Sequence, residues 1–240
     1  AVPPARARHG ARPQGELSVV SILDIIGPVM VGPSSSHTAG ACRIGLLARG
    51  LTRGTPTSAR IELHGSFART GEGHGTDKAI TGGLLGFRPD DERIREALDI
   101  AEREGLAYVF EKTTLEDDVH PNTVRLTITR GEQRHTVVGS SIGAGRVILS
   151  QVDGYPVEIS GNLHTIVVVA EDRPGSVARI AGILAEEKVN LATMRVTRKE
   201  RGGDAFMVLE CDEAPSERAI DQIGELGWVR WARRLDKVSA

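Results

Sequence analysis

Five polar side chains stand in a row at Ser34, Ser35, Ser36, His37 and Thr38, inside the stretch GPVMVGPSSSHTAGACRIG that runs from Gly27 to Gly45. Hydroxyls and an imidazole gathered at one point can accept backbone protons, cradle a small anion, or move a proton near neutral pH. Pro33 disfavours helix at Gly32. An apolar-periodic segment follows, with Ala39, Cys42, Leu46 and Leu47 on one stripe. The serines therefore stand at a helix entrance. One serine suffices to cap it. Three serines with His37 and Thr38 exceed that need and suit a carboxylate, so a plain capping segment and an anion or substrate site both stay open. In the second reading His37 is a candidate proton acceptor.

Three further stretches offer polar groups at turns. In GHGTDKA, Thr76 or Asp77 can cap the next helix, and His74 is either a loop residue or a second polar contact. In HPNTVR, His120 and Asn122 present an imidazole and an amide at a strand entrance, or form a simple proline turn. In EDRPGSVARIAGILAEEKVNL, Asp172, Arg173, Pro174 and Gly175 precede a helix that begins at Ser176. Gly175 permits close approach and the helix end offers donors, so an amino acid's carboxylate fits there, with Asp172 facing its ammonium. An ordinary β-to-α turn is the other reading.

Other chemistries are poorly served. The histidines are scattered, and His37 and Cys42 share no helical face, which disfavours metal binding by this chain. No GxxxxGK[ST] loop is present. SIGAGR, from Ser141 to Arg146, has fingerprint-like glycines but lies between strands without a following helix, so it is not a dinucleotide site. The two cysteines, Cys42 and Cys211, have no CxxC neighbour. They point to a reducing cytoplasm and cannot by themselves hold a four-thiolate iron–sulfur cluster.

The elements that must position these groups follow from periodicity. SARIELHGSF reads as a strand, GTDKAITGGLLGF as a helix, and DDERIREALDIAEREG as the clearest helix, stopped by Gly105. From Ala107 the pattern turns to strands, with Val124, Leu126 and Ile128 inward in TVRLTITR. Residues 18–161 thus form an α+β domain. Residues 162–240 follow the order βαββαβ, a ferredoxin-like arrangement with both helices on one face of a four-stranded sheet, the other face needing a partner or solvent. Residues 1–17 carry Pro, Gly and arginines without an apolar core, and read as a disordered extension rather than a secretory signal.

Composition limits the function classes. Of 240 residues, 40% are hydrophobic but only 3% aromatic, so the cores rest on Val, Ile, Leu and Ala. A net charge of -2 gives no basic field for nucleic acid. No apolar run reaches the roughly 18 residues of a membrane span.

The segments SVVSILDIIGPVMVGPSSSHTAGACRIG, HGSFARTGEGHGTDKAITGGLLGF, DVHPNTVRL and SSIGAGR together resemble the beta chain of bacterial iron–sulfur L-serine dehydratase (L-serine deaminase) of the two-chain type. The resemblance runs from about Ser18 to Lys237. DRPGSVARIAGILAEEKVNLATMRVTRKE is similar to an ACT domain, an amino-acid-sensing module. The resemblance implies a partner alpha chain carrying a [4Fe–4S] cluster through its own cysteines. One iron would act as Lewis acid on the serine hydroxyl, without pyridoxal phosphate. It places the SSSHT segment at the junction with the alpha part. His37 becomes the candidate base, with Ser36 and Thr38 as contacts and His120 and Asn122 near the same site. Ser34, Ser35, His74 and Asp77 are expected on the substrate, and Asp172 to Ser176 on a regulatory amino acid. ACT-mediated dimerisation is a further expectation. The first domain also resembles the allosteric substrate-binding domain of some phosphoglycerate dehydrogenases, so a regulatory anion site without chemistry is the competing use of the same surface. Ala144 departs from the family pattern, where a third glycine is common.

Overall fold

The computed structural model describes residues 30–115 and 119–239. The extension at 1–17 and the segment SVVSILDIIG lie outside the described residues. The first turn is a π-helix, Ser35–Gly40, which runs into α1 (Ala41–Leu51). Strand β1 (Ser58–His64) leads through α2 (Gly65–Thr70), α3 (Thr76–Leu85), a 3-10 turn at Glu92–Glu96 and α4 (Ala97–Arg103) to β2 (Ala107–Thr113). β1 and β2 are parallel, and a parallel pair needs such a crossover. Then β3 (Thr123–Arg130), β4 (Gln133–Gly143), β5 (Arg146–Val152) and β6 (Tyr155–Ile159) meander antiparallel. The sheet order is β2-β1-β3-β4-β5-β6.

DDERIREALDIAEREG is not one helix. Asp91 accepts from the Arg93 N–H at 3.0 Å and pairs with its guanidinium, which tightens the entrance into a 3-10 turn before the α-helix starts. Neither Thr76 nor Asp77 caps α3. Gly75 is its N-cap at φ 70°, and no side chain bonds the free N–H groups. α1 and α3 cross at Gly45 and Gly83. A Cβ on Gly83 would lie 2.1 Å from Cys42 O, and one on Gly45 would lie 2.4 Å from Ile80 O. Backbone contact of this closeness fixes how the helix after the serines lies on the sheet. The core beneath holds Ile44, Leu47, Leu51, Ile61, Ile80, Leu126, Ile128 and Leu149, all fully buried.

The second unit runs β7 (His164–Glu171), α5 (Ser176–Glu186), β8 (Leu191–Arg198), β9 (Asp204–Cys211), α6 (Glu217–Gly224), β10 (Val229–Leu235). Its sheet is antiparallel, in the order β10-β7-β9-β8. Ile180, Ile183 and Leu184 of α5 and Ala219, Ile220 and Ile223 of α6 pack on Ile166, Val168, Met207 and Leu209. The alternation of β7 and β9 sends Val167, Val169, Phe206 and Val208 to the other face, where they join the core of the first unit. The partner that this face needed is therefore the rest of the same chain. Arg233 donates to Leu51 O at 2.8 Å, and Tyr155 stacks on Phe206 with centroids 4.7 Å apart. Among the described residues no helix is long and apolar enough to cross a membrane.

Candidate active site

Ser34 is the N-cap of the π-helical turn. Its Oγ accepts from the His37 N–H at 3.1 Å and lies 3.4 Å from His37 Nδ1. The capping reading thus holds for one serine. The wider π turn then carries Ser35, Ser36 and His37 round to Thr38, which is 2% exposed. A π turn leaves its helix-forming groups less regularly bonded, and such turns concentrate at functional sites.

His37 meets a second element. Its Nε2 lies 3.1 Å from Thr70 Oγ1 and 3.3 Å from Ser66 Oγ, both on α2. Thr70 donates its proton to Ser66 O at 2.9 Å, so toward His37 it is an acceptor. Ser66 Oγ is free to donate. A neutral imidazole then accepts from Ser66 through Nε2, and a protonated one donates to Thr70. Burial holds the His37 pKa below the ordinary histidine value, and the nearby His74 pushes it the same way; a hydrogen bond to the Ser66 backbone, which favours the protonated ring, opposes them. The lowered pKa favours the neutral ring, the form able to take a proton. Its ring lies 5.0 Å from the His74 ring and edge-on to Phe67 at 5.3 Å.

His74 joins the cluster. Its Nδ1 lies 2.8 Å from Thr70 O, and a carbonyl only accepts, so Nδ1 carries the proton. Thr38 Oγ1 donates to His74 O at 3.4 Å. Thr38 and His74 open onto a cavity of about 340 Å³, whose walls include Lys78, Arg95 and Glu72. Asp77 stands in the first turn of α3, and its buried Oδ1 accepts no hydrogen bond among the described residues.

His120 and Asn122 arrive from the far side. Ser66 N donates to Pro121 O at 2.7 Å, which brings the 120–122 segment against α2. Asn122 N donates to His120 Nδ1 at 3.1 Å, so a neutral His120 carries its proton on the exposed Nε2. Asn122 O accepts from Ser141 N, which ties the segment to β4. Ser141 sits directly under the π turn: a Cβ on Gly40 would lie 2.1 Å from its Oγ. Arg43, buried one helical turn on, donates to Gly145 O at 2.6 Å, and burial lowers its pKa. Sequence reasoning missed Ser66, Thr70 and Arg43. The signals were present: Ser66 and Thr70 are four apart and share a helix face, and Arg43 is a lone base in an apolar stripe.

The second turn is built differently. Asp172 bonds Arg198 at 2.6 Å and accepts from Gly202 N, and the guanidinium holds its carboxyl below the usual range. Its carboxylate is thus paired within the chain, on a guanidinium that is half-exposed. Gly175 is left-handed at φ 85°, Ser176 is buried, and Arg173 lies over the Trp228 ring at 5.8 Å, while Pro174 is exposed at the turn's outer side.

Comparison with known proteins bears on both units. Residues 21–105 match the model of the serine dehydratase beta chain, and residues 164–227 match that of the ACT domain. A Bacillus subtilis protein described as a probable L-serine dehydratase beta chain is 44% identical over 208 residues, covering 86% of this chain and 93% of that one. The chain belongs to the serine dehydratase beta-chain family. The L-serine dehydratase beta chain of Peptoniphilus asaccharolyticus is 37% identical over 82% of this chain and 89% of its own length. The D-3-phosphoglycerate dehydrogenase of Methanocaldococcus jannaschii is 33% identical over 49% of this chain and 22% of its own length. Within the serine dehydratase beta-chain fold, the His37 cluster lies in the first matched unit and the Asp172 turn in the ACT domain.

Proposed function

We propose that the chain is the beta subunit of an L-serine ammonia-lyase that converts L-serine to pyruvate and ammonia together with an alpha chain holding a [4Fe–4S] cluster. The donors of this chain do not fit the cluster. Cys42 and Cys211 are both buried, their pKa values pushed up to about 12 and about 11 by burial, and among the described residues no three metal-binding side chains converge. In this reading the cluster is held by the alpha chain, and the reaction proceeds without pyridoxal phosphate. Buried, protonated thiols are in keeping with a reducing cytoplasm.

The observation that carries the reading is the half-buried His37 imidazole held between Ser66 and Thr70. In it, His37 Nε2 takes the Cα proton of L-serine, Thr70 then accepts from the imidazolium, hydroxide leaves the β-carbon, and the aminoacrylate hydrolyses. Ser36, Thr38 and Asn122 contact substrate, and the His120 Nε2–H donates to the leaving oxygen. Met194 and Val196, 41% and 46% exposed beside the open β8 edge, are where two ACT domains pair. The test is anaerobic co-purification of this chain with a serine dehydratase alpha chain. Pyruvate release from L-serine is expected only from the pair, and release by the alpha chain alone sinks the subunit role. The match to a phosphoglycerate dehydrogenase favours a second reading, a regulatory amino-acid-binding subunit without catalytic residues. In that case turnover survives loss of His37 and only the response to serine changes.

A further inference from the structure

Four strands stand at sheet edges: β2 and β6 in the first sheet, β10 and β8 in the second. The ladders of β6, β8 and β10 each shift register, and such shifts bend a strand. β2 has none. It pairs with β1 in unbroken register from Ala107 to Thr113 and contains no proline or glycine. Its sequence, AYVFEKT, is rich in residues that favour strands. Among the described residues no strand pairs with its outer side. Val109 projects from it, 47% exposed, beside a shallow groove shared with Ala107 and Thr127. A straight open edge of this kind is a template for another strand.

The residues define which strand fits. A second copy added antiparallel, with a two-fold axis at Val109, sets Val109 opposite its own copy and Tyr108 opposite Phe110 twice. Directly opposed aromatic pairs are among the favourable cross-strand contacts. Tyr108 and Phe110 already meet edge-on within the chain, centroids 5.7 Å apart, so the axis brings four rings into one row. Charge agrees with this register. Glu111, held by Arg60 at 2.6 Å, lands opposite Ala107 and meets no like charge. Lys112 is exposed and has no ion-pair partner among the described residues. The axis carries it toward the end of α4 in the other copy, where Glu102 and Glu104 are exposed. An axis one residue on, at Phe110, sets Val109 against the Glu111 carboxylate and loses the aromatic pairs.

We propose that β2 pairs with β2 of a second copy of this chain, joining two six-stranded sheets into one across a two-fold axis at Val109. The pairing uses neither the β8 edge of the ACT domain nor the reaction proposed above. It has a reason to matter. His64, at the end of β1, accepts from Leu115 N at 3.0 Å just past β2, and α2 with Ser66 and Thr70 starts at the next residue. The joined edge is therefore tied to the helix that holds His37.

The test is cross-linking and sedimentation of the full chain, in a Val196→Lys background that blocks the β8 edge. Directly opposed Cα atoms of an antiparallel ladder lie about 4.5–5.5 Å apart, within the span of a disulfide. Val109→Cys is expected to give a covalent dimer under mild oxidation. Glu111→Cys is expected not to, since its two copies stand more than roughly 12 Å apart in this register. The native Cys42 and Cys211 are buried and do not compete. In sedimentation Val109→Lys is expected to weaken the dimer about tenfold or more, and Val109→Ile to keep it. The proposal is overturned if Val109→Cys cross-links no faster than Glu111→Cys, or if Val109→Lys associates as the parent does. It is overturned too if the β2 amides are already protected from exchange in dilute monomer, which assigns the edge to another segment of the same chain. Loss of the Val109→Cys cross-link on adding a serine dehydratase alpha chain also overturns it, by giving the edge to that chain.

Discussion

Two turns in this chain lead into helices through small polar residues, and they end differently. At Ser34 the cap bond is made by one hydroxyl, and the π turn then delivers His37 to Ser66, Thr70 and His74 on another element. At Asp172 the acid bonds Arg198 and Gly202 of a neighbouring loop, and the helix begins at a left-handed glycine without a side-chain cap. The first turn holds its imidazole against the hydroxyls of a second element. The second has its charge satisfied internally. A helix entrance thus becomes a candidate for chemistry not through its own hydroxyls alone but through what a second element brings beside it.

The largest effect expected from breaking this contrast is at His37. In the assembled enzyme His37→Ala should lower kcat by roughly 10²–10⁴-fold, the usual worth of a positioned base. Assembly and cluster content should be retained, since the imidazole is half-buried and holds no core contact beyond Phe67. Pyruvate release at the native rate would assign the reaction's base elsewhere.

A smaller and more pointed effect concerns His74. Protonated His74 disfavours a second charge 5.0 Å away on His37, and burial already does so. A base must be unprotonated, so kcat/KM should fall as pH drops through the His37 pKa, which lies below the ordinary value. His74→Asn removes the opposing charge but not the burial. The acid limb of the kcat/KM profile should then move to higher pH, toward the ordinary histidine value. A limb that stays in place identifies a titrating group other than His37. The same depression has a stability consequence. The folded chain binds this proton less readily than the unfolded chain, so stability is lost as pH falls from the unfolded pKa toward the folded one.

How much of this was readable beforehand differs between the two units for a physical reason. The ACT unit follows local signals closely: period-2 strands and 3.6-period helices with Gly or Ser at their ends give the observed element order from β7 to β10. The first unit depends on contacts between segments far apart in sequence. The SSSHT turn was legible as a helix entrance, and His37, His74, His120 and Asn122 were legible as candidates. Their convergence was not, because it rests on Ser66 N bonding Pro121 O and on Gly40 meeting Ser141. The split of DDERIREALDIAEREG was also invisible to periodicity, since the apolar stripe is the same whether its first turn is α or 3-10. The covered face of the ACT sheet could be inferred to need a partner, but not that Phe206 and Val208 would find it in Tyr155 and the first core.

The smallest expected effect tests whether the hairpin supporting the reactive turn is strained. Ala144 lies at φ 51°, in the left-handed region, between Gly143 and Gly145 in the β4–β5 turn whose Gly145 carbonyl holds Arg43. Lys188, just past α5 in the ACT unit, is left-handed too, at φ 59°. A non-glycine residue in that region costs about 1–2 kcal/mol, and glycine's extra freedom in the unfolded chain returns about 0.5–1 kcal/mol of that. Ala144→Gly and Lys188→Gly should each therefore stabilise the chain by about 0.5–1 kcal/mol, or roughly 1–4 °C in melting temperature for a chain of this size. The sign follows from the backbone alone, so both variants should gain although their surroundings differ. A gain at Lys188 with a loss at Ala144 would mean that the alanine methyl group contributes to the hairpin. The support under His37 would then be side-chain packing rather than the reach of Arg43 to a carbonyl.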